Sequence, residues 1–164
     1  MYIPREKPGP GQESVWDYPR PPLVQPTGRH IEVVFAGTVI ADTRRALRVL
    51  ETSHAPVYYI PREDIRSDVL ESGGRASYCE FKGEARYFRV SVGDRVAEDG
   101  AWTYETPSRG YEHLLGHFAF YPQLMDRCRV DGEVATPQPG QFYGGWVTSD
   151  IVGPFKGDPG VRTL

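Results

Sequence analysis

The chain has 164 residues, of which 39% are hydrophobic and 25% charged, and a net charge of −3. That length suits one domain that buries about two-thirds of its unfolded surface and needs no disulfide staple. Arg and acidic residues alternate instead of forming blocks, which argues against a nucleic-acid partner. No apolar run reaches the length of a membrane span and the N-terminus MYIPREKPGPGQ lacks a signal peptide's apolar core, so the expectation is a cytoplasmic protein without a membrane partner.

Residues 1–29 carry Pro4, Pro8, Pro10, Pro19, Pro21, Pro22 and Pro26, which fix φ and remove backbone donors. The first dozen residues read as disordered, and Val15, Trp16 and Tyr18 as a strap that packs onto a β domain spanning 30–136. Ile31–Phe35 and Thr38–Ala41 form a hairpin over Ala36-Gly37. The run DTRRALRVLETS suits a short helix or a strand, and one turn followed by a strand to about Glu51 is expected. Val57–Ile60 is a strand stopped by Pro61. Ile65, Val69 and Leu70 are spaced as one face of a short helix, which ends in a flexible SGG at 72–74.

Strands are then expected at 76–81 and 85–92, joined through KGE, with connections at Val92-Gly93-Asp94 and Glu98-Asp99-Gly100. Ala101–Tyr104 and Phe118–Tyr121 read as strands, Tyr111–Leu115 as a short helix, and Asp131-Gly132 as the turn of a hairpin. Residues 137–164 return to Pro and Gly but keep Phe142, Tyr143, Trp146, Ile151 and Phe155, the content of a packed arm. The count of strands predicts a mostly-β fold of two antiparallel sheets of about four strands each, with extended arms at both ends.

Chemistry-bearing side chains concentrate between Tyr78 and Tyr104. Cys79, Glu80, Phe81 and Lys82 on one strand would alternate faces, giving a buried Cys beside a surface Glu-Lys pair unless the turn redirects Lys82 toward the thiol. Arg45, Glu51 and Asp64, with Tyr58 and Tyr59, read as the polar lining of a pocket whose apolar wall is Trp102 and Tyr104. The alternative is a structural Arg45–Glu51 salt bridge with core aromatics, and both readings stand. His54 and His117, and still more weakly His30 and His113, lack a triad or metal-ligand spacing and read as structural. Cys79 and Cys128 belong to no CxxC pair, so neither a zinc site nor any other metal or cofactor is expected. A disulfide between them stays open, with a cytosolic setting against it. No Walker motif is present, and Gly73-Gly74 and Gly144-Gly145 lead to no closely spaced acidic pair, which counts against nucleotidyl transfer.

The runs ESVWDYPRPP, ADTRRALRVLETSHAPVYYIPREDI, CEFKGEARYF, AWTYETP, GHFAFYP and FYGGWVTSDIVGPFKGDPG resemble domain-of-unknown-function family number 427, some of whose members carry a nucleotidyltransferase label. The resemblance implies a β-tent topology, in which two antiparallel sheets meet over a cleft, as in methionine sulfoxide reductase B and the ligand-binding domain of cereblon. Those relatives pin the sheets with zinc held by two CxxC pairs. This chain has none, and its strap and arm are expected to take over that task. Matching the family's motifs singles out Arg45, Glu51, Tyr59, Asp64, Cys79, Lys82, Trp102, Tyr104 and Tyr121.

The expectation is thus a β domain with a cleft for a polar or anionic small molecule. Arg45 and Lys82 would hold the charge, Trp102 and Tyr104 would form the wall, and Cys79, Glu51 or Asp64 would be the actors if a reaction occurs. A homodimeric interaction module built on the strap and arm is the alternative, and a thiol-dependent redox enzyme ranks third.

Overall fold

The computed structural model describes residues 5–140, 142–159 and 161. Its strands are β1 (Glu13–Ser14), β2 (Leu23–Pro26), β3 (Ile31–Phe35), β4 (Thr38–Thr43), β5 (Leu47–Leu50), β6 (Val57–Pro61) and β7 (Leu70–Cys79). They continue with β8 (Gly83–Val92), β9 (Arg95–Thr103), β10 (His117–Phe120), β11 (Arg127–Val130), β12 (Glu133–Val134), β13 (Thr136–Pro137), β14 (Trp146–Val147) and β15 (Ile151–Val152). Helical structure among the described residues is confined to single 3-10 turns at Val15–Asp17, Arg62–Asp64, Glu112–Leu114 and Pro122–Leu124.

The fold is mostly β. A seven-stranded antiparallel sheet runs β2-β5-β6-β10-β9-β8-β7, and a four-stranded one runs β12-β11-β3-β4. The larger sheet thus exceeds the expected four strands, because β2 from the Pro-rich segment and the β7–β8 hairpin both join it. Two hairpin turns follow directly from their residues. Ala36-Gly37 (φ 52° and 73°) and Asp131-Gly132 (φ 50° and 84°) hold positive φ at both central positions, the geometry that matches strand twist.

Local patterns mislead in three places. The helical spacing of Ile65, Val69 and Leu70 yields only the 3-10 turn at Arg62–Asp64, after which Ile65 bridges to Ala41 and Leu70 opens β7. The SGG run, expected to be flexible, lies inside β7 as an irregularity between Ser72 and Ala76, with Gly74 at φ 82°. Glu98-Asp99-Gly100 is not a connection. It is a bulge within β9, where Asp99 takes φ 54° and the register against β8 shifts between Phe88 and Val90.

Alternation divides the side chains of the large sheet. One face sends Tyr58, Ile60, Phe118, Phe120 and Val90 against Ile31, Val33 and Phe35 of the four-stranded sheet, so packed core fills the space between the sheets. The opposite face carries Leu47, Tyr59, Tyr87, Trp102, Tyr104 and Ala119, and no residue of β3, β4 or β11 belongs to its cluster. The strap closes a third small cluster in which Val15 is fully buried. β1 pairs with β15 in parallel, and Trp16 Nε1 donates to Pro154 O (2.8 Å). Residues 5–12, expected to be disordered, are exposed yet anchored: Glu6 N donates to Gly153 O (3.0 Å) and Gln12 Nε2 to Ser149 O (2.9 Å).

Candidate functional site

A single row of cross-strand partners builds the outer face of the large sheet. Leu47 sits opposite Tyr59, Tyr59 opposite Ala119, Ala119 opposite Trp102, and Trp102 opposite Tyr87. Ala119 in the middle is small, and this lets the two large rings beside it meet above it. Trp102 Nε1 donates to Tyr59 Oη at 3.2 Å, with the rings edge to face at 6.2 Å. Tyr104 lies beside Tyr59 as well, with ring centroids 6.3 Å apart. A phenol oxygen has two acceptor sites and one proton. With one acceptor site taken by the indole, Tyr59 still has its own O–H to give. Tyr121 stacks obliquely on Trp102 with centroids 4.5 Å apart. Burial raises the pKa of Tyr59, Tyr104 and Tyr121, so all three stay neutral donors at physiological pH.

The cation comes from a turn. β7 ends at Cys79, which pairs with Gly83 at the start of β8, so Glu80, Phe81 and Lys82 form a three-residue connection instead of extending the strand. Gly83 takes φ 108°, and Lys82 O accepts a hydrogen bond from Ser108 N (2.8 Å), fixing the turn against the following loop. Lys82 therefore folds back over the aromatic face, where it interacts electrostatically with Tyr59 and Cys79. The strand alternation that would have left it on the surface stops three residues too early. Lys82 is 9% exposed, and among the described residues no carboxylate comes within salt-bridge distance of it. Burial works against its ammonium, but Tyr59, Cys79 and Glu51 around it outweigh that and hold its pKa above the ordinary lysine value.

At the rim, Glu51 pairs with Arg20 (3.3 Å) and lies within electrostatic reach of Lys82, Tyr111 and His54. Tyr111 enters from the loop after β9 and donates its hydroxyl to Pro22 O (2.7 Å). His54 is largely buried, with its Nδ1 2.9 Å from Thr52 O and its ring edge-on to Tyr143 (5.4 Å). A carbonyl only accepts, so Nδ1 carries the proton, and burial lowers the His54 pKa. The C-terminal arm forms the roof. A Cβ at Gly144 would overlap Cη2 of Trp102, and one at Gly145 would lie 2.8 Å from Ala55 O. Close packing over the wall, and not a phosphate cradle, is thus what the Gly-Gly pair serves.

Of the residues singled out in the sequence, Tyr59, Cys79, Lys82, Trp102, Tyr104 and Tyr121 come together here, with Glu51 at the edge. Three do not. Tyr58 faces the inter-sheet core against Trp146 (4.9 Å). Arg45 and Asp64 form their own surface pair at 2.9 Å, with Thr43 Oγ1 also donating to Asp64 (2.7 Å). The supposed Arg45–Glu51 bridge is replaced by Arg45–Asp64 and Arg20–Glu51. Sequence reasoning missed Tyr87 and Tyr111. Period-two spacing with Ala85 marks Tyr87, whereas Tyr111 sits in a loop whose sequence carries no periodic signal.

Two other clusters compete with this site and are self-satisfied. A hollow of about 400 Å³ lies between the strap and β5. Its Arg48 is spent on Glu13 (two contacts of 2.9 Å) and on Gln25 (2.7 Å). His30, Glu32 and Asp42 gather on the small sheet, but His30 Nε2 already bonds Asp42 (2.7 Å) and Arg129 stands 3.7 Å from Glu32.

Compared with known protein families, residues 23–131 match the model of a domain of unknown function, DUF427. The chain belongs to the DUF427 family. The matched stretch of this DUF427 chain contains the whole aromatic wall together with Cys79 and Lys82, while the roof at 144–145 lies beyond it. No curated protein matches the chain. Among the described residues of this DUF427 protein, no helix is long and apolar enough to cross a membrane.

Proposed function

We propose that this DUF427 protein binds a small organic monoanion on the outer face of its large sheet. The observation that carries this reading is the buried Lys82 ammonium, for which no described carboxylate is within ion-pairing distance. Buried charges are ordinarily paired, and a ligand carboxylate would complete this one. Tyr59, which accepts from the Trp102 indole, supplies its own O–H as a second donor to the same anion, and Trp102 and Tyr104 supply a flat apolar wall for the rest of the ligand. A single cation, with Arg45 spent on Asp64, suits one negative charge better than a polyphosphate.

Lys82 acts here as an electrostatic anchor. An amine must be neutral to form a Schiff base, and the surroundings of Lys82 favour its charged form. Asp64, held below the usual carboxylate range by Arg45 and Thr43, sits outside this cluster, which leaves Glu51 as its only rim carboxylate among the candidates. The unpaired thiols of Cys79 and Cys128 suit a reducing, cytoplasmic setting. The strap and arm spend much of their bonding on each other, so the ligand reading is favoured over a homodimer built on them.

The test is native mass spectrometry of gently purified protein against its denatured mass, in wild type and in Lys82→Gln. A retained small acid in the wild type that is absent from the variant is the expected result. A retained species that is neutral, or that stays in Lys82→Gln, refutes the reading.

A further inference from the structure

We propose that Cys79 is the nucleophile of this site, and that it forms a covalent bond to an electrophilic carbon of a small carboxylate compound whose charge rests on Lys82. This deepens the anion-binding reading of Lys82 and rests on it.

Three observations carry the inference. The Cys79–Gly83 register places the thiol beside the turn that delivers Lys82, and Cys79 packs against the aromatic cluster that Lys82 faces. Lys82 is nine-tenths buried and lacks a carboxylate partner among the described residues, so its charge is available both to the sulfur and to an incoming anion. Cys79 is only partly buried and borders the aromatic face, whereas Cys128 is fully buried in the core between the sheets. The thiolate is the attacking form of a cysteine, and a partly exposed thiol is open to an electrophile in a way that a core thiol is not. The same ammonium draws a carboxylate to within reach of the sulfur, and so positions the electrophile against the nucleophile.

In a displacement, the sulfur electron pair forms an S–C bond to the carbon next to the carboxylate. The bond from that carbon to its leaving group breaks, and the leaving group departs with that pair. The thiol proton passes to solvent, and Lys82 remains an ammonium throughout. A dithiol redox cycle is not served by this arrangement, because Cys128 belongs to the packing on the opposite face of the large sheet.

Iodoacetate and iodoacetamide test this directly. They are nearly isosteric alkylating agents, one anionic and one neutral, and the modified cysteine is located by peptide mass spectrometry of the native protein. The expected result is alkylation of Cys79 well ahead of Cys128, with an iodoacetate-to-iodoacetamide rate ratio at least tenfold above that of free glutathione. Lys82→Gln should bring that ratio down to the glutathione value. Benzoate should slow iodoacetate in the wild type, a measurement that needs no variant to fold. If Cys79 reacts no faster than Cys128 with either reagent, the nucleophile is refuted whatever benzoate binding shows. If Cys79 reacts readily but at the glutathione ratio, and benzoate gives no protection, the anion-binding role of Lys82 falls and the proposal falls with it.

Discussion

Replacing Gly144 by Ala tests whether the C-terminal arm roofs the aromatic face. The new Cβ would overlap Cη2 of Trp102 and lie 3.2 and 3.3 Å from Cζ2 and Cζ3. The indole has little room to withdraw, because Trp102 is 7% exposed, donates to Tyr59 and stacks on Tyr121. The arm must therefore lift. Overpacking of this kind costs about 1–3 kcal/mol, which for a chain of this size lowers Tm by roughly 2–4 °C per kcal/mol. Gly28→Ala is the control: a Cβ there meets nothing within 4 Å, and the change should stay within about 0.5 kcal/mol of wild type. The assay is thermal unfolding followed by circular dichroism, with tryptophan emission reporting on the indole. A Gly144→Ala protein as stable as Gly28→Ala, with unchanged emission, would refute the close packing of arm on wall.

Other consequences concern the buried polar groups. Ser53 is fully buried, takes φ 72°, and its hydroxyl has no hydrogen-bond partner among the described residues. Ser53→Ala should therefore stabilise by about 1 kcal/mol in chemical denaturation, by removing an unsatisfied group, and a loss of stability would show that the hydroxyl is paired. For His54 the folded pKa lies below its ordinary value of 6.5, so the unfolded chain binds a proton that the folded chain does not. Stability is then unaffected above pH 6.5 and falls as pH drops from there toward the folded pKa, with a slope of up to about 1.4 kcal/mol per pH unit. The slope difference between wild type and His54→Gln in denaturation at pH 7.5 and 5.5 measures this, and identical slopes would contradict it.

Much of the fold could be read from the residues. The Ala36-Gly37 and Asp131-Gly132 turns and the Val57–Ile60 strand follow from local chemistry and have their counterparts in the structure, whereas the short helix expected at Tyr111–Leu115 is only a 3-10 turn at Glu112–Leu114, and Phe142, expected to pack, is exposed. What was not legible depends on partners distant in sequence. Whether Ser72-Gly73-Gly74 is a tether or part of a strand is decided by β8, which pairs with β7 on both sides of the run. The end of β7 at Cys79 is set by where β8 begins, and that single boundary moves Lys82 from an expected surface pair to the buried face. The period-two rule separates Tyr58 from Tyr59, but the sequence does not reveal which face meets the other sheet, so the polar lining expected to include both keeps only Tyr59. Arg45 and Asp64 are close in space because β4 lies against the Arg62–Asp64 turn, and their pairing with each other, in place of Glu51, is a tertiary fact.

The central claim is that Lys82 holds an anion against the Trp102 wall. Isothermal titration with benzoate and with benzamide, which share a ring and differ in charge, tests it most directly in wild type and Lys82→Gln. The surroundings of Lys82 hold its pKa above the ordinary lysine value, so its ammonium is charged at neutral pH, where the titration is run. Wild type should bind benzoate at least tenfold more tightly than benzamide, and the variant should lose that preference. Equal behaviour of the two ligands in wild type, including no binding of either, or a preference for benzoate that persists in Lys82→Gln, would contradict the account.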